Sequence, residues 1–450
     1  MRSLFPALSS CLVAALLAFA AACGRDARAA EAVEPAPGAR PRATAPSTGA
    51  PPARHATRAT FAAVGDVLPH KMTKATARWR AAKDPGGNDA NNEGYDATFS
   101  ALHGVIDRFD VATYNMETPV TREDYLPPAR LRFRALLGMP RALRAAGFDV
   151  AVCANNHALD QGPNGLRESY ANLHAAGLRT VGCGPTFGEA SEPVIVEANG
   201  IRIGILAFAR ILNAYNPATR TRPDVPQVLF WYAFDDEGAE VLRAVRALRA
   251  RTDVDVVVVE AHWDREYQAS PLGETRSIAR QLVEAGADLV IGHHPHVLQP
   301  AEWARAPDGR RAAVVYSLGN FLSDMCASLS PASTCDRRLS AVAVATFARE
   351  ADGRAGLADL EILPAWTDHR SGCPGEGGEA RHCVRPVVVA DELARLRDEL
   401  ATAPAERRPR VEAEIAGFER REAMIRAFMG PHPEGQSPRS PYDSGTLARR

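Results

Sequence analysis

The chain has almost no surplus of charge: Lys plus Arg number 53 and Asp plus Glu 54 among 450 residues, a formal net charge of −1. A nucleic-acid binder normally carries a basic surplus, so no nucleic-acid partner is expected. Missing as well is an apolar run of the about 20 residues that a membrane-spanning helix needs; the N-terminal stretch 12–20 falls well short. Neither Val181-Gly182-Cys183-Gly184 nor Ser317-Leu318-Gly319-Asn320 has the spacing of a P-loop or a dinucleotide fingerprint, and the first is read as a tight turn. No internal repeat is evident.

What is present begins with processing. Arg2, the apolar stretch 12–20 and Ala21-Ala22-Cys23-Gly24 read as a secretory signal over residues 1–23 whose end resembles the bacterial lipobox, with Cys23 as the lipid-attachment residue. The expectation is an exported lipoprotein anchored to a membrane, on the periplasmic or cell-surface side. An ordinary cleaved signal, giving a secreted soluble protein, is the alternative. Residues 24–58 are almost wholly Ala, Pro, Arg, Thr and Gly and cannot bury a core. They are expected to form a disordered tether with a reach on the order of 30 Å. In an exported chain the close pairs Cys326 with Cys335 and Cys373 with Cys383 are disulfide candidates, whereas Cys153 and Cys183, each beside a strand-like run, are expected to be buried thiols.

From residue 59 to 365 short β-rich runs alternate with amphipathic helical stretches, which defines an α/β domain. Strands are expected at 61–64, 111–115, 150–154, 179–181, 194–197, 201–208, 254–260, 289–291 and 313–318, with antiparallel additions at 341–347 and 357–363. Asn199-Gly200 is a hairpin signal. Helices are expected at 99–108, 141–146, 165–176, 236–251 and 275–285. Residues 366–430 read as a Gly- and Cys-rich loop, 371–382, followed by helices at 391–401 and 405–428 packed on the domain; 431–450 read as a disordered tail.

Residues able to bind metal collect where these strands end. The first is followed by Gly65-Asp66, the next by Asn115-Met116-Glu117, the third by Asn155-Asn156-His157-Ala158-Leu159-Asp160; later strands run into His262-Trp263, Gly292-His293-His294-Pro295-His296 and Tyr316-Ser317-Leu318-Gly319-Asn320-Phe321. In open α/β sheets the carboxyl edge is where ligands bind. Pro295 is expected to restrain His294 to extended backbone, so that His294 and His296 are presented with little freedom. Any one of these has a plain structural use: Gly65-Asp66 as a turn, His262 as a satisfied core histidine.

As an ordered series the motifs resemble those of the CapA family, associated with poly-γ-glutamate capsule synthesis and related to calcineurin-like metallophosphoesterases. The resemblance implies a metallophosphoesterase-like four-layer sandwich, two mixed β-sheets flanked by α-helices, with a metal centre at the strand ends. It implies that Asp66 and His296 bind one metal, that Asn156, His262 and His294 bind a second, and that Glu117 bridges them. His157, oriented by Asp160, occupies the position of the histidine that protonates a leaving group. Asn115, Asn155, Asp264 and Asn320 are substrate-binding or supporting candidates. Asp264 either tunes His262 or sits in solvent.

Asp, Glu, Asn and His together suit Mn, Fe or Zn, as one or two ions. Two ions would activate water for hydrolysis, and His157 would act as general acid. Related phosphoesterases place a histidine two residues after the first aspartate; here that residue is Leu68, with His70 the nearest substitute. The resemblance implies metal-dependent hydrolysis of a phosphoester or γ-glutamyl amide during synthesis, processing or export of an anionic polymer, with a membrane-bound polymer synthase complex as a candidate partner. The alternatives are a non-catalytic polymer-binding or assembly factor with a degenerate centre, and a general secreted metallophosphoesterase.

Overall fold

A computed structural model describes residues 57–83, 92–129, 131–213, 226–231, 238–326, 336–374 and 380–433, all within the unit Arg54–Arg450. The expected signal with Cys23, nearly all of the tether, Cys335 and residues 434–450 lie outside the described residues. The first strands are β1 (Arg58–Leu68), β2 (Val111–Met116), β3 (Val150–Val152), β4 (Arg179–Val181), β5 (Cys183–Gly184), β6 (Val194–Ala198), β7 (Ile201–Ala209) and β8 (Gln227–Val228). They are followed by β9 (Val256–His262), β10 (Leu289–His293), β11 (Leu298–Arg305), β12 (Arg311–Leu318), β13 (Asn320–Ser323), β14 (Leu339–Arg349), β15 (Ala355–Pro374) and β16 (Ala380–Val388).

Two mixed sheets form. One has the order β16-β15-β14-β1-β2-β3-β4 with β13 paired to β1, the other β11-β12-β10-β9-β7-β6. In the first, β1 to β4 are parallel and β14 to β16 antiparallel; in the second, β7, β9, β10 and β12 are parallel with antiparallel edges.

Period-two alternation explains how the sheets stack. Phe61 and Ala63 of β1 join Ile203, Ile205, Val256, Val258, Leu289 and Ile291 of the other sheet in one buried cluster, the seam between the sheets. Their neighbours Ala62 and Val64 face the other way, onto Met139 and Leu143 of the helix Gly138–Ala145. On the far face of the second sheet Val257, Val259 and Val290 meet Val245 and Leu248 of the helix Ala239–Arg249 and Ile278 and Leu282 of the helix Gly273–Ala285. The result is helix, sheet, sheet, helix: an α/β four-layer sandwich. The helices Val389–Thr402 and Arg408–Met429 also reach this core, through Leu393, Leu396, Phe418 and Ile425.

Asn199 and Gly200 both take positive φ, 48° and 74°, and close the β6–β7 hairpin as expected. Elsewhere the chain departs from its sequence pattern. The helix expected at 99–108 is broken into Asp96–Phe99 and two 3₁₀ turns, with Gly104 at φ 73° between them. The loop expected at 371–382 is largely the end of a long hairpin, in which Arg370 pairs with Cys383 and Pro374 with Ala380. The strands β11 and β13 have no counterpart among the expected ones. The expected tail begins in ordered structure, since His432 exchanges backbone hydrogen bonds with Ala301 and Trp303. Cys153 and Cys183 are a disulfide rather than two thiols, with Cα atoms 5.5 Å apart; the parallel pairing of Val152 with Val181 brings the cysteines that follow into reach. Cys326 and Cys383 are each disulfide-bonded.

Candidate metal centre

The parallel strands of both sheets deliver their carboxyl ends to one place. Asp66 pairs across β1 with Asn115 of β2, and His262 of β9 lies in register with His293 of β10. Close backbone packing beneath them demands glycine: a Cβ on Gly65 would stand 2.0 Å from the Gly319 carbonyl oxygen, and one on Gly292 1.9 Å from that of Tyr316. Asp66, Asn115, Glu117, Asn155, Asn156, His157, Asp160, His262, Asp264, His294, His296 and Asn320 are all buried.

Their polar atoms converge. Asp66 accepts from Asn115 Nδ2 at 2.8 Å and lies 3.1 Å from His296 Nδ1. His262 Nε2 is 3.0 Å from Asn156 Oδ1 and 3.4 Å from Glu117 Oε1, while His296 Nε2 is 3.7 Å from the same Glu117 oxygen. Two trios can each present their ligand atoms to a single ion, Asp66 with Glu117 and His296, and Glu117 with His262 and His294. Glu117 belongs to both.

The donor set fits a cation on its own electrostatics. Neither oxygen of Glu117 has a hydrogen-bond partner, and burial, followed by the charges of Asp66, Glu266 and Asp160, holds its carboxyl well above the usual range. Burial and the neighbouring imidazoles push His262 well below the ordinary histidine value and His294 down to about 3, which keeps nitrogen lone pairs free at neutral pH. Asp66 shows the opposite balance: burial raises it, but the hydrogen bond and charge of His296, the charge of His293 and the hydrogen bond from Asn115 together lower it. A buried carboxyl without a partner beside neutral imidazoles is an arrangement that a divalent ion would satisfy.

The expected extended backbone at His294 is not found. His294 has φ 96° and His296 φ 58°, both left-handed, because the chain must reverse in the short connection between β10 and β11 while aiming both rings at Asp66 and Glu117. The remaining candidates contact one another and the backbone around the trios. Asn155 donates to Asn115 Oδ1 and to the Met116 carbonyl, and Asn320 lies 3.0 Å from His296 Nδ1 and donates to the His296 carbonyl. His157 Nδ1 is 2.8 Å from Asp160, whose carboxylate also accepts the Phe133 amide, and the Phe133 ring packs 4.6 Å from the imidazole. Both readings of Asp264 are corrected: it is buried and accepts from the amides of Arg265 and Leu272 and from Gln299, pinning its own loop rather than touching His262 or solvent.

Sequence reasoning overlooked a second layer. His293, passed over in favour of its neighbours, places Nε2 2.7 Å from Glu260, which accepts from Thr113 at 2.6 Å, and turns Nδ1 towards Asp66 at 3.6 Å. The available signal was a glutamate at the end of the apolar run Val256-Val257-Val258-Val259, where an unpaired charge would be costly.

The profile of the bacterial capsule synthesis protein family PGA_cap matches residues 60–325. The chain belongs to that family. It is 31% identical over 242 residues to the capsule biosynthesis protein CapA of Bacillus anthracis, covering 52% of this chain and 55% of that protein. It is 28% identical over 239 residues to the PGA biosynthesis protein CapA of Bacillus subtilis (strain 168), covering 52% and 58%. The chain thus spans little more than half the length of these relatives. Among solved structures, the NAD nucleotidase NadN of Haemophilus influenzae overlaps 81% of this chain and 68% of its own at 11% identity and a TM-score of 0.39.

Proposed function

We propose that this protein is a metal-dependent hydrolase acting on an anionic capsule-type polymer of the poly-γ-glutamate kind. The observation that carries the reading is Glu117, fully buried with both oxygens unpartnered and shared by two trios of ligand atoms. Asp66, Glu117 and His296 would hold one ion; Glu117, Asn156, His262 and His294 would hold the other. Ions of the Mn, Fe or Zn class supply Lewis acidity and bring the pKa of water towards neutrality. His157 then gives its proton to the departing oxygen or nitrogen, with Asp160 at 2.8 Å fixing the ring and its tautomer. Asn115 and Asn155 keep Asp66 in place, and Asn320 keeps His296 in place.

Family membership and the names of the two CapA relatives support a context of capsule-polymer synthesis; action in processing or export, beside a membrane-bound polymer synthase complex, is part of the proposal. Export as a lipoprotein through Cys23, with secretion as the alternative, belongs to the same proposal. Among the described residues no helix is long and apolar enough to cross a membrane.

The test is metal analysis of the purified protein, followed by activity against γ-glutamyl polymers and phosphoesters after loading with Mn²⁺, Fe²⁺ or Zn²⁺. Wild type should retain stoichiometric transition metal that His294→Ala and His296→Ala lose; a wild type that binds none ends the hydrolase reading. A second reading, a non-catalytic polymer-binding or assembly factor, draws on Leu68, a buried side chain where phosphoesterases have a histidine. Polymer binding or export that survives in His157→Ala, with hydrolysis in neither protein, would favour it. Turnover of generic aryl phosphates alone would favour a general metallophosphoesterase.

A further inference from the structure

The trio of Asp66, Glu117 and His296 offers three ligands, and neither the last residue of β1 nor the turn after it adds a fourth. Leu68 is buried, in register with Ser323 of β13. His70 is tied elsewhere: its Nδ1 accepts the Asp324 backbone N–H at 3.2 Å and its ring stands edge-on to Phe133 at 5.0 Å. The Asp324 carboxylate in turn accepts the amides of Met72 and Thr73, which fixes the whole turn to the start of the helix Lys71–Lys83.

A ligand atom arrives instead from the loop after β9. A carboxylate oxygen of Glu266 lies with ring nitrogens of His294 and His296 in a third group able to share an ion. His294 belongs to the Glu117–His262 trio and His296 to the Asp66–Glu117 trio, so Glu266 reaches one imidazole from each. Glu117 does the same from the buried side, and Glu266, whose side chain is exposed, does it from the solvent side.

The backbone around Glu266 is fixed on both flanks. Asp264 and Tyr267 hold positive φ, 70° and 62°, a conformation non-glycine residues keep only where their surroundings enforce it. Enforcement comes from the Asp264 carboxylate on one side and, on the other, from the Tyr267 amide, which donates at 2.8 Å to the carbonyl of Pro295, the residue between the two histidines. The Tyr267 ring lies 6.1 Å from His296 with the Arg337 guanidinium 4.1 Å over it. A solvated loop glutamate has no need of such a frame.

We propose that Glu266 is a metal ligand of this centre, closing from the solvent side the coordination that Glu117 closes from within, and supplying the donor that Leu68 cannot. The inference rests on reading the centre as a metal site. Its test is Mn²⁺ titration calorimetry on the full metal-free chain, with Co²⁺ absorption spectra of the same proteins, comparing wild type, Glu266→Gln, Glu266→Ala and Arg265→Ala. Because Glu266 is exposed, these variants keep the fold. Glu266→Gln and Glu266→Ala should weaken Mn²⁺ at least about tenfold and change the Co²⁺ bands, whereas Arg265→Ala should match wild type. Wild-type Mn²⁺ affinity in Glu266→Gln, or weakening without any change in the Co²⁺ bands, overturns the ligand role, since a distant charge alters affinity without altering coordination. A wild type that takes up no metal overturns the metal-centre reading itself, which separates the two failures.

Discussion

His293 and Glu260, both buried, meet at 2.7 Å directly behind the Asp66 carboxylate. The pair reaches from a hydrogen bond with Thr113 on β2 to within 3.6 Å of Asp66 on β1, where the His293 imidazole acts on the Asp66 carboxylate by charge. Glu260→Gln keeps the shape but not the charge. It should lower metal affinity about 10–100-fold, the range found when a residue supporting a ligand is changed. Glu260→Ala should cost about 1–3 kcal/mol as well, because it leaves a buried imidazole without its hydrogen-bond partner. Equilibrium denaturation and metal titration read the two effects, and unchanged metal binding in Glu260→Gln would remove the link.

Glu117 predicts an exchange of stability for function. Without metal its buried carboxyl has no partner for either oxygen. Glu117→Met, similar in volume and apolar, should stabilise the metal-free protein by about 1–3 kcal/mol. It should also abolish the rise in Tm that Mn²⁺ gives wild type. A metal-free Glu117→Met protein less stable than wild type would mean that the carboxyl is satisfied in a way the geometry does not show.

The convergence of the side chains at the centre is legible in the sequence because it obeys a local rule: an apolar strand ends, and a residue type able to bind metal lies at or just past its end. Asp66, Glu117, Asn156, His262, His294 and His296 all sit within a few positions of a strand's carboxyl end, and parallel pairing gathers those ends. Glu260 and His293 were not legible, because their contact depends on side chains crossing between β9 and β10 at a register in which Ile291, not His293, faces Glu260. Glu266 depends on a loop with two left-handed residues, which no residue-type pattern announces. The stretch around Cys373 reads as a loop in sequence because glycine and cysteine dominate it, whereas residues 371–374 and 380–382 pair as β15 and β16 through backbone hydrogen bonds indifferent to side chain.

Asp255 predicts acid sensitivity away from the centre. It accepts from the Arg202 amide and guanidinium at 2.8–3.1 Å and pairs with Arg349 at 3.0 Å, joining β7 of one sheet to β14 of the other. Burial pushes its carboxyl up, but the two arginines outweigh burial and hold it at about 2. A folded value below the unfolded one, about 3.9, stabilises the fold above that unfolded value and ceases to do so as pH falls through about 2. Asp255→Asn should therefore be less stable than wild type at pH 7, by about 1 kcal/mol once solvent screening of the arginines is allowed for. That gap should shrink between about pH 4 and pH 2. Urea midpoints measured across this range check it, and a gap independent of pH would assign the loss to packing instead.

The disulfide bears on both stability and the centre. Cys153 continues β3 directly into Ala154-Asn155-Asn156-His157, and its partner Cys183 begins β5, 30 positions along the chain. Closing a loop of that size restricts the unfolded chain by roughly 3.6 kcal/mol on the chain-entropy account. Cys153→Ala with Cys183→Ala should thus lose about 2–4 kcal/mol. Because the bridge also anchors the start of the segment that carries Asn156 and His157, the double variant should bind metal more weakly than wild type at a temperature where both are folded. Reduction of wild type should cost at least as much stability as the double substitution, because it also opens the bridges at Cys326 and Cys383. If the double variant instead matched wild type in denaturation and in metal titration, the segment would be held by Asn155 and its contacts to Asn115 and Met116 alone.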